Sequence, residues 1–150
     1  MITQLDQAGF DFLAQHEGCV LHPYQDIAGV WTIGYGSTFY ADGTPVKMGD
    51  PDITQEQAQQ LLSATSPQYA NAVHYWTVPI LNQNQFNALF SFVYNIGTGG
   101  FKGSTVLKLV NQNDFGDDLK NAFLMWSHVN GVVNSDLHQR RLDEYNLFVS

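Results

Sequence analysis

The feature that most narrows the fold is a change of rhythm just past residue 18. Before it, Leu5, Ala8, Phe12 and Leu13 recur at helical spacing, Thr3 reads as the cap of that helix, and Gly18 supplies a stop signal. Over residues 20-40 the pattern becomes short stretches of Val, Ile, Trp, Tyr and Thr broken by Pro23, Gly29, Gly34 and Gly36, which predicts a small antiparallel sheet. A turn-rich loop follows over 41-51, and Thr54 with Gln57 forms a T-x-x-Q capping box that opens a second helical region. Pro67 and Pro79 punctuate that region, and helical spacing resumes over 82-95, 104-111, 114-126 and 135-148. One short sheet set among many helices reads as an α+β domain. We expect a single domain over 1-150, with a small mixed lobe over about 1-53, a larger helical lobe over about 54-150 and a cleft between them.

Charge limits the partners. Fourteen acids against six Lys and Arg give a net charge of -8, without the basic stripe that nucleic acid binding needs. Cys19 is the only cysteine, which rules out an internal disulfide and a multi-cysteine zinc site; it reads as a small buried hydrophobe. The five histidines lack ligand spacing, so no metal or other cofactor is expected. No apolar run is long enough to span a bilayer, and the start MITQLDQAGF lacks the regions of a signal peptide.

Chemistry concentrates in residues 17-38, where Glu17, Asp26 and Thr32 stand among glycines and aromatics. Glu17 falls in the last turn of the first helix, where the negative end of the dipole and apolar neighbours favour a retained proton, the requirement of a general acid. Asp26 opens a tight turn in which solvent and backbone N-H groups favour the carboxylate, and Thr32 returns toward it on the following strand. An acid, a base and a held water are the apparatus for hydrolysing a glycosidic bond. Each of the three also occupies a position its residue type favours for purely local reasons.

The stretch EGCVLHPYQDIAGVWTIGYGST resembles the E-G-x-x-L-x-x-Y-x-D-x-x-G-x-x-T-I-G-Y-G-x-T signature of phage-type lysozymes, the endolysin family, at every specified position. FSFVYNIGTGGFKGSTVL and the later DLHQRRLDEYNLF resemble that family's second-lobe segment and C-terminal helix. The resemblance implies a lysozyme-like fold. It also implies a muramidase acting on the β-1,4 bond between N-acetylmuramic acid and N-acetylglucosamine of peptidoglycan. Glu17 then matches the general acid, Asp26 the carboxylate that directs water, and Thr32 the residue sharing that water. Tyr94, Asn95, Phe101, Ser104 and Thr105 match positions lining the glycan groove, and Arg140 matches an arginine approaching the catalytic Glu. Tyr94 and Phe101 also read as core aromatics, and Ser104 as a helix cap. Arg140 and Arg141 point about 100° apart on a helix, so only one is expected to face Glu17 and the other to be a solvated charge. Ser37 stands where many members carry His, which bears on the packing of the strand end.

A monomer made in the host cytoplasm and acting on the cell wall after release is the implied setting, with peptidoglycan the only partner. A glycan-binding module without turnover and a lytic transglycosylase are the alternatives on the same fold. Retention of all of Glu17, Asp26 and Thr32 weighs against both, because transglycosylation needs no water-directing base.

Overall fold

The computed structural model describes residues 1-150, and its first helix begins later than the apolar spacing suggests. Helix α1 is Gln7–Glu17, and Asp6 rather than Thr3 caps it, its Oδ1 accepting the Gly9 N-H at 2.9 Å. The same oxygen accepts from Asn87 Nδ2 at 2.8 Å, so this cap is anchored as well as suited to the positive end of the helix. The helix stops where expected: Gly18 has φ +76° and donates its N-H to the Ala14 carbonyl at 2.7 Å.

Two units divide the chain, one of Phe10–Pro67 and one of Met1–Gly9 with Gln68–Ser150. In the first, β1 (Val20–Gln25) and β2 (Trp31–Gly34) pair antiparallel, with Tyr24 opposite Thr32 and Gln25 opposite Trp31. Helix α2 (Gln55–Thr65) belongs to this unit and not to the helical lobe in which the sequence reading put it. The reason is the apolar face of the sheet. Ile33, Val46 and Leu61 form a buried cluster covered by Trp31, Tyr40 and Ile53, each such burial being worth about 1.5–3 kcal/mol. Gly34 lies at this contact, and its φ of +67° is what favours glycine, since an added Cβ would meet that of Ala58 at an ordinary 3.4 Å. The anticipated box at the start of α2 is formed, with Gln57 N-H bonded to Thr54 Oγ1 at 3.1 Å and Thr54 N-H to Gln57 Oε1 at 2.8 Å. At the strand end the buried Ser37 exchanges both backbone hydrogen bonds with Ile33 at 2.9 Å, so the main chain holds this corner.

The second unit holds α3 (Pro67–Trp76) from Gln68 onward, α4 (Gln83–Ile96), α5 (Thr98–Lys102), α6 (Thr105–Asn111), α7 (Asp117–Leu124) and α8 (Ser135–Val149). Every residue of α4 from Phe86 to Val93 is buried, the mark of a helix surrounded on all sides. Phe92 meets Phe123 edge-on at 5.0 Å, and the fully buried Phe86, Phe101 and Phe148 complete an aromatic core. Between α7 and α8 lies a hairpin absent from the sequence reading, β3 (His128–Val129) and β4 (Val132–Val133), turned by Asn130 and Gly131 at φ 51° and 78°. No helix is long and apolar enough to cross a membrane.

Candidate active site

Glu17 is the last residue of α1 and is exposed. Asp26 follows β1 at the mouth of a three-residue loop. Its N-H donates to the Val30 carbonyl at 2.9 Å and its own carbonyl accepts from Gly29 N-H at 2.9 Å. Gly29 takes φ +81°, which this kind of loop demands. The Asp26 side chain adds a third bond, Oδ1 accepting the Val30 N-H at 2.9 Å. Thr32, buried on β2, donates its hydroxyl to the Val30 carbonyl at 2.9 Å. Both side chains therefore anchor on one residue, Val30. Pairing of Tyr24 with Thr32 and of Asp26 with Val30 sets Asp26 and Thr32 on one face of the hairpin, as diagonal neighbours. The Thr32 proton is committed to a carbonyl, so its oxygen faces other groups as an acceptor, like the carboxylate.

Cys19 is half-buried rather than fully buried; burial pushes its thiol pKa up, partly offset by a hydrogen bond from Tyr35. No group of three or more His, Cys, Asp or Glu side chains is placed to hold a metal.

In the helical unit Asn95 is exposed and Tyr94 half-buried on α4, Tyr94 lying 4.9 Å from the Tyr69 ring, while Thr105 is exposed at the start of α6. Two of the residues matched to the glycan groove, and the arginine matched to one approaching the catalytic Glu, lie beneath the surface. Phe101 is 0% exposed, stacked on Trp76 at 6.1 Å. Ser104 is buried as the cap of α6, donating to the Phe101 carbonyl at 2.8 Å and accepting from Leu107 N-H at 3.1 Å. Arg140 is buried too, with its Nε 3.2 Å from Glu144 Oε1 and NH2 3.1 Å from the Ser91 carbonyl. Such residues shape the unit from inside, and Phe101 has no surface to offer a glycan.

The expectation that one of Arg140 and Arg141 is a solvated charge is also corrected. Arg141 is fully buried, its Nε 2.8 Å from Glu144 Oε2 and its guanidinium 5.2 Å over the Phe92 ring. Although the two arginines diverge by about 100°, Glu144 lies about 40° from one and about 60° from the other, so both converge on it. Ser91 Oγ donates to Glu144 Oε1 at 2.8 Å, and Arg141 NH2 reaches Asn95 Oδ1 at 2.8 Å. Burial pushes the Glu144 pKa up to about 6, against the downward pull of Arg141, Arg140 and Ser91. The sequence reading missed Ser91, Arg141 and Glu144 as a cluster; the available signal was the spacing R-R-x-x-E, which sets both arginines one turn from a carboxylate.

Eight helices with a small antiparallel sheet, and an exposed Glu ahead of a hairpin carrying Asp and Thr, define an α+β protein of lysozyme-like fold. The family model described as phage lysozyme matches residues 14–144, and the chain belongs to that family. It is 37% identical to the endolysin of Salmonella phage P22 over 149 residues, covering 99% of this chain and 100% of that one. The solved endolysin from Escherichia coli O157:H7 phage FAHEc1 is similar at 37% identity and a TM-score of 0.83, over 98% of this chain and 94% of the other. A crystal structure of a P22 lysozyme mutant is similar at 35% identity and a TM-score of 0.86, over 99% and 100%. Members of the family are muramidase-type glycoside hydrolases, and this chain is a peptidoglycan-hydrolysing enzyme of that type.

Proposed function

We propose that the enzyme cleaves the β-1,4 bond between N-acetylmuramic acid and N-acetylglucosamine with inversion at the anomeric carbon. Glu17 is the general acid, giving its proton to the leaving oxygen. Asp26 and Thr32 hold the attacking water. The observation that carries this reading is their shared anchorage on Val30. It leaves Thr32 Oγ1 and the second Asp26 oxygen as two acceptors on one hairpin face. A water between them gives one hydrogen to each and keeps a lone pair for carbon. Asp26 takes up the proton that the water loses as the new C-O bond forms.

Tyr94, Asn95 and Thr105 contact the glycan in this reading, while Phe101, Ser104 and Arg140 support them from below. We read 1-150 as one domain acting as a monomer, since every residue given a role lies in one chain. A net charge of -8 turns it away from nucleic acid. Its setting is synthesis in the host cytoplasm and action on the wall after release.

Proton NMR of the fresh product, read before mutarotation, tests the reading. The α-anomer is expected, because water attacks the face opposite a β-linked leaving group. A β-anomer overturns the role of Asp26, and a 1,6-anhydro end detected by mass spectrometry replaces hydrolysis with transglycosylation.

A further inference from the structure

The peptide group between Gly29 and Val30 is held from both sides. Its N-H donates to Asp26 Oδ1 at 2.9 Å, and its carbonyl accepts from Gln25 Nε2 at 3.2 Å. A trans peptide is flat, with its C=O and N-H pointing in opposite directions, so fixing the oxygen on one side aims the hydrogen on the other. Gln25 and Asp26 are consecutive where β1 ends, and consecutive side chains of a strand project to opposite faces. One therefore reaches the oxygen and the other the hydrogen of the same group. Packing contributes nothing here: residues 25-30 are all exposed, and an added Cβ at Gly29, where φ is +81°, meets no atom within 4 Å. Hydrogen bonds alone set the tilt of this peptide group, and with it the direction of the bond that the Asp26 carboxylate accepts.

We propose that Gln25 is a positioning residue of the hydrolase. Through the Gly29-Val30 peptide group it fixes the Asp26 carboxylate, so that the second carboxylate oxygen keeps its aim at the attacking water, while Gln25 itself touches no reacting atom. The inference rests on the reading of Asp26 as the water-directing carboxylate. Position 25 is left open in the lysozyme signature.

Kinetics on soluble, uncrosslinked peptidoglycan strands, the melting temperature and the Asp26 Hα-Hβ NMR couplings, all read on the full chain, test it. Those couplings report how firmly one side-chain rotamer is held. Gln25→Met keeps the length of the side chain and removes the donor; Gln25→Lys puts a donor back. Gln25→Met should lower kcat about threefold to tenfold with KM changed less than about twofold, and move the Asp26 couplings toward their rotational average. The melting temperature should stay where it is, because the bond is exposed. Gln25→Lys should restore most of kcat and of the couplings. A merely structural Gln25 would lower the melting temperature and leave the couplings unmoved. Unmoved couplings, or a loss of kcat that Gln25→Lys does not recover, overturn the inference. Asp26→Ala separates it from the reading beneath it. If that variant loses turnover while Gln25→Met leaves kcat unchanged, the inference fails and the role of Asp26 stands. If Asp26→Ala turns over normally, the role of Asp26 fails and Gln25 positions nothing that reacts.

Discussion

The sheet unit and the helical unit hold their polar residues by opposite means. Around Asp26 and Thr32 the side-chain hydrogen bonds reach no further than four residues along the chain, and the carboxylate stands in solvent. Around Arg140, Arg141 and Glu144 they reach 46, 49 and 53 residues, and the charges are buried. A local device can be changed without unfolding its unit, whereas a long-range buried one cannot. In the proposed reading Glu17, Asp26 and Thr32 all belong to the sheet unit, whose polar contacts are of the local kind.

The sharpest way to break the comparison is Glu17→Gln. It removes a transferable proton from an exposed helix end, and turnover of purified peptidoglycan should fall by roughly two to four orders of magnitude with an unchanged melting temperature. Near-normal turnover would remove Glu17 from the reaction. Glu144→Ala should behave oppositely, leaving two guanidiniums buried without their shared carboxylate and costing about 3–5 kcal/mol in denaturant unfolding. A cost below about 1 kcal/mol would show that the cluster is not structural.

A matched pair of glycines sharpens the contrast. Gly29 and Gly131 have φ +81° and +78°, and an added Cβ meets nothing within 4 Å at either. Alanine at each should cost about 1–2 kcal/mol for backbone reasons alone. Only Gly29→Ala should also lower turnover, since it lies in the loop that holds Asp26; equal turnover in the two variants would disconnect that loop from catalysis.

The smallest effects are pH dependences of opposite sign. Glu144 holds its proton more tightly folded, with its pKa at about 6, than unfolded. Its contribution is therefore full below the unfolded value and is lost as pH rises through about 6. The stability difference between the wild type and Glu144→Gln should move toward the Gln variant over that interval. Asp50 is the reverse case: the Lys47 N-H and the Tyr40 hydroxyl, each 2.8 Å from its Oδ2, hold its carboxyl below the usual value. Its contribution is present above the unfolded value and is lost as pH falls through the lowered one. The difference between the wild type and Asp50→Asn should shrink on acidification, and a difference that grows would reverse the sign.

Legibility in the sequence follows the same divide. The stop at Gly18, the hairpin around Gly29, the boxes or caps at Thr54, Asn82 and Ser104 and the placement of Asp26 with Thr32 depend on neighbours within a few residues. The membership of α2 depends on which apolar face it covers, and burial of Arg141 depends on Ser91 and Asn95 arriving from another helix. No local pattern states either. The β3-β4 hairpin is different, because its V-N-G-V is itself a local turn signal. Asp6 rather than Thr3 caps α1 through a local bond from Gly9 N-H, and Asn87, 81 residues away, holds that cap in place.

That last bond sets an order in time. Protein chains emerge from the ribosome N-terminus first, and units fold as their residues become available. The sheet unit, Phe10–Pro67, is contiguous and can settle while the remainder is still being made. The helical unit is not: its first nine residues must wait for Gln68–Ser150, and α8, which carries Arg141 and Glu144, follows every other element of the unit. Synthesis thus delivers the hairpin bearing Asp26 and Thr32 first, and the anchor of Asn95 only after the rest of the helical unit.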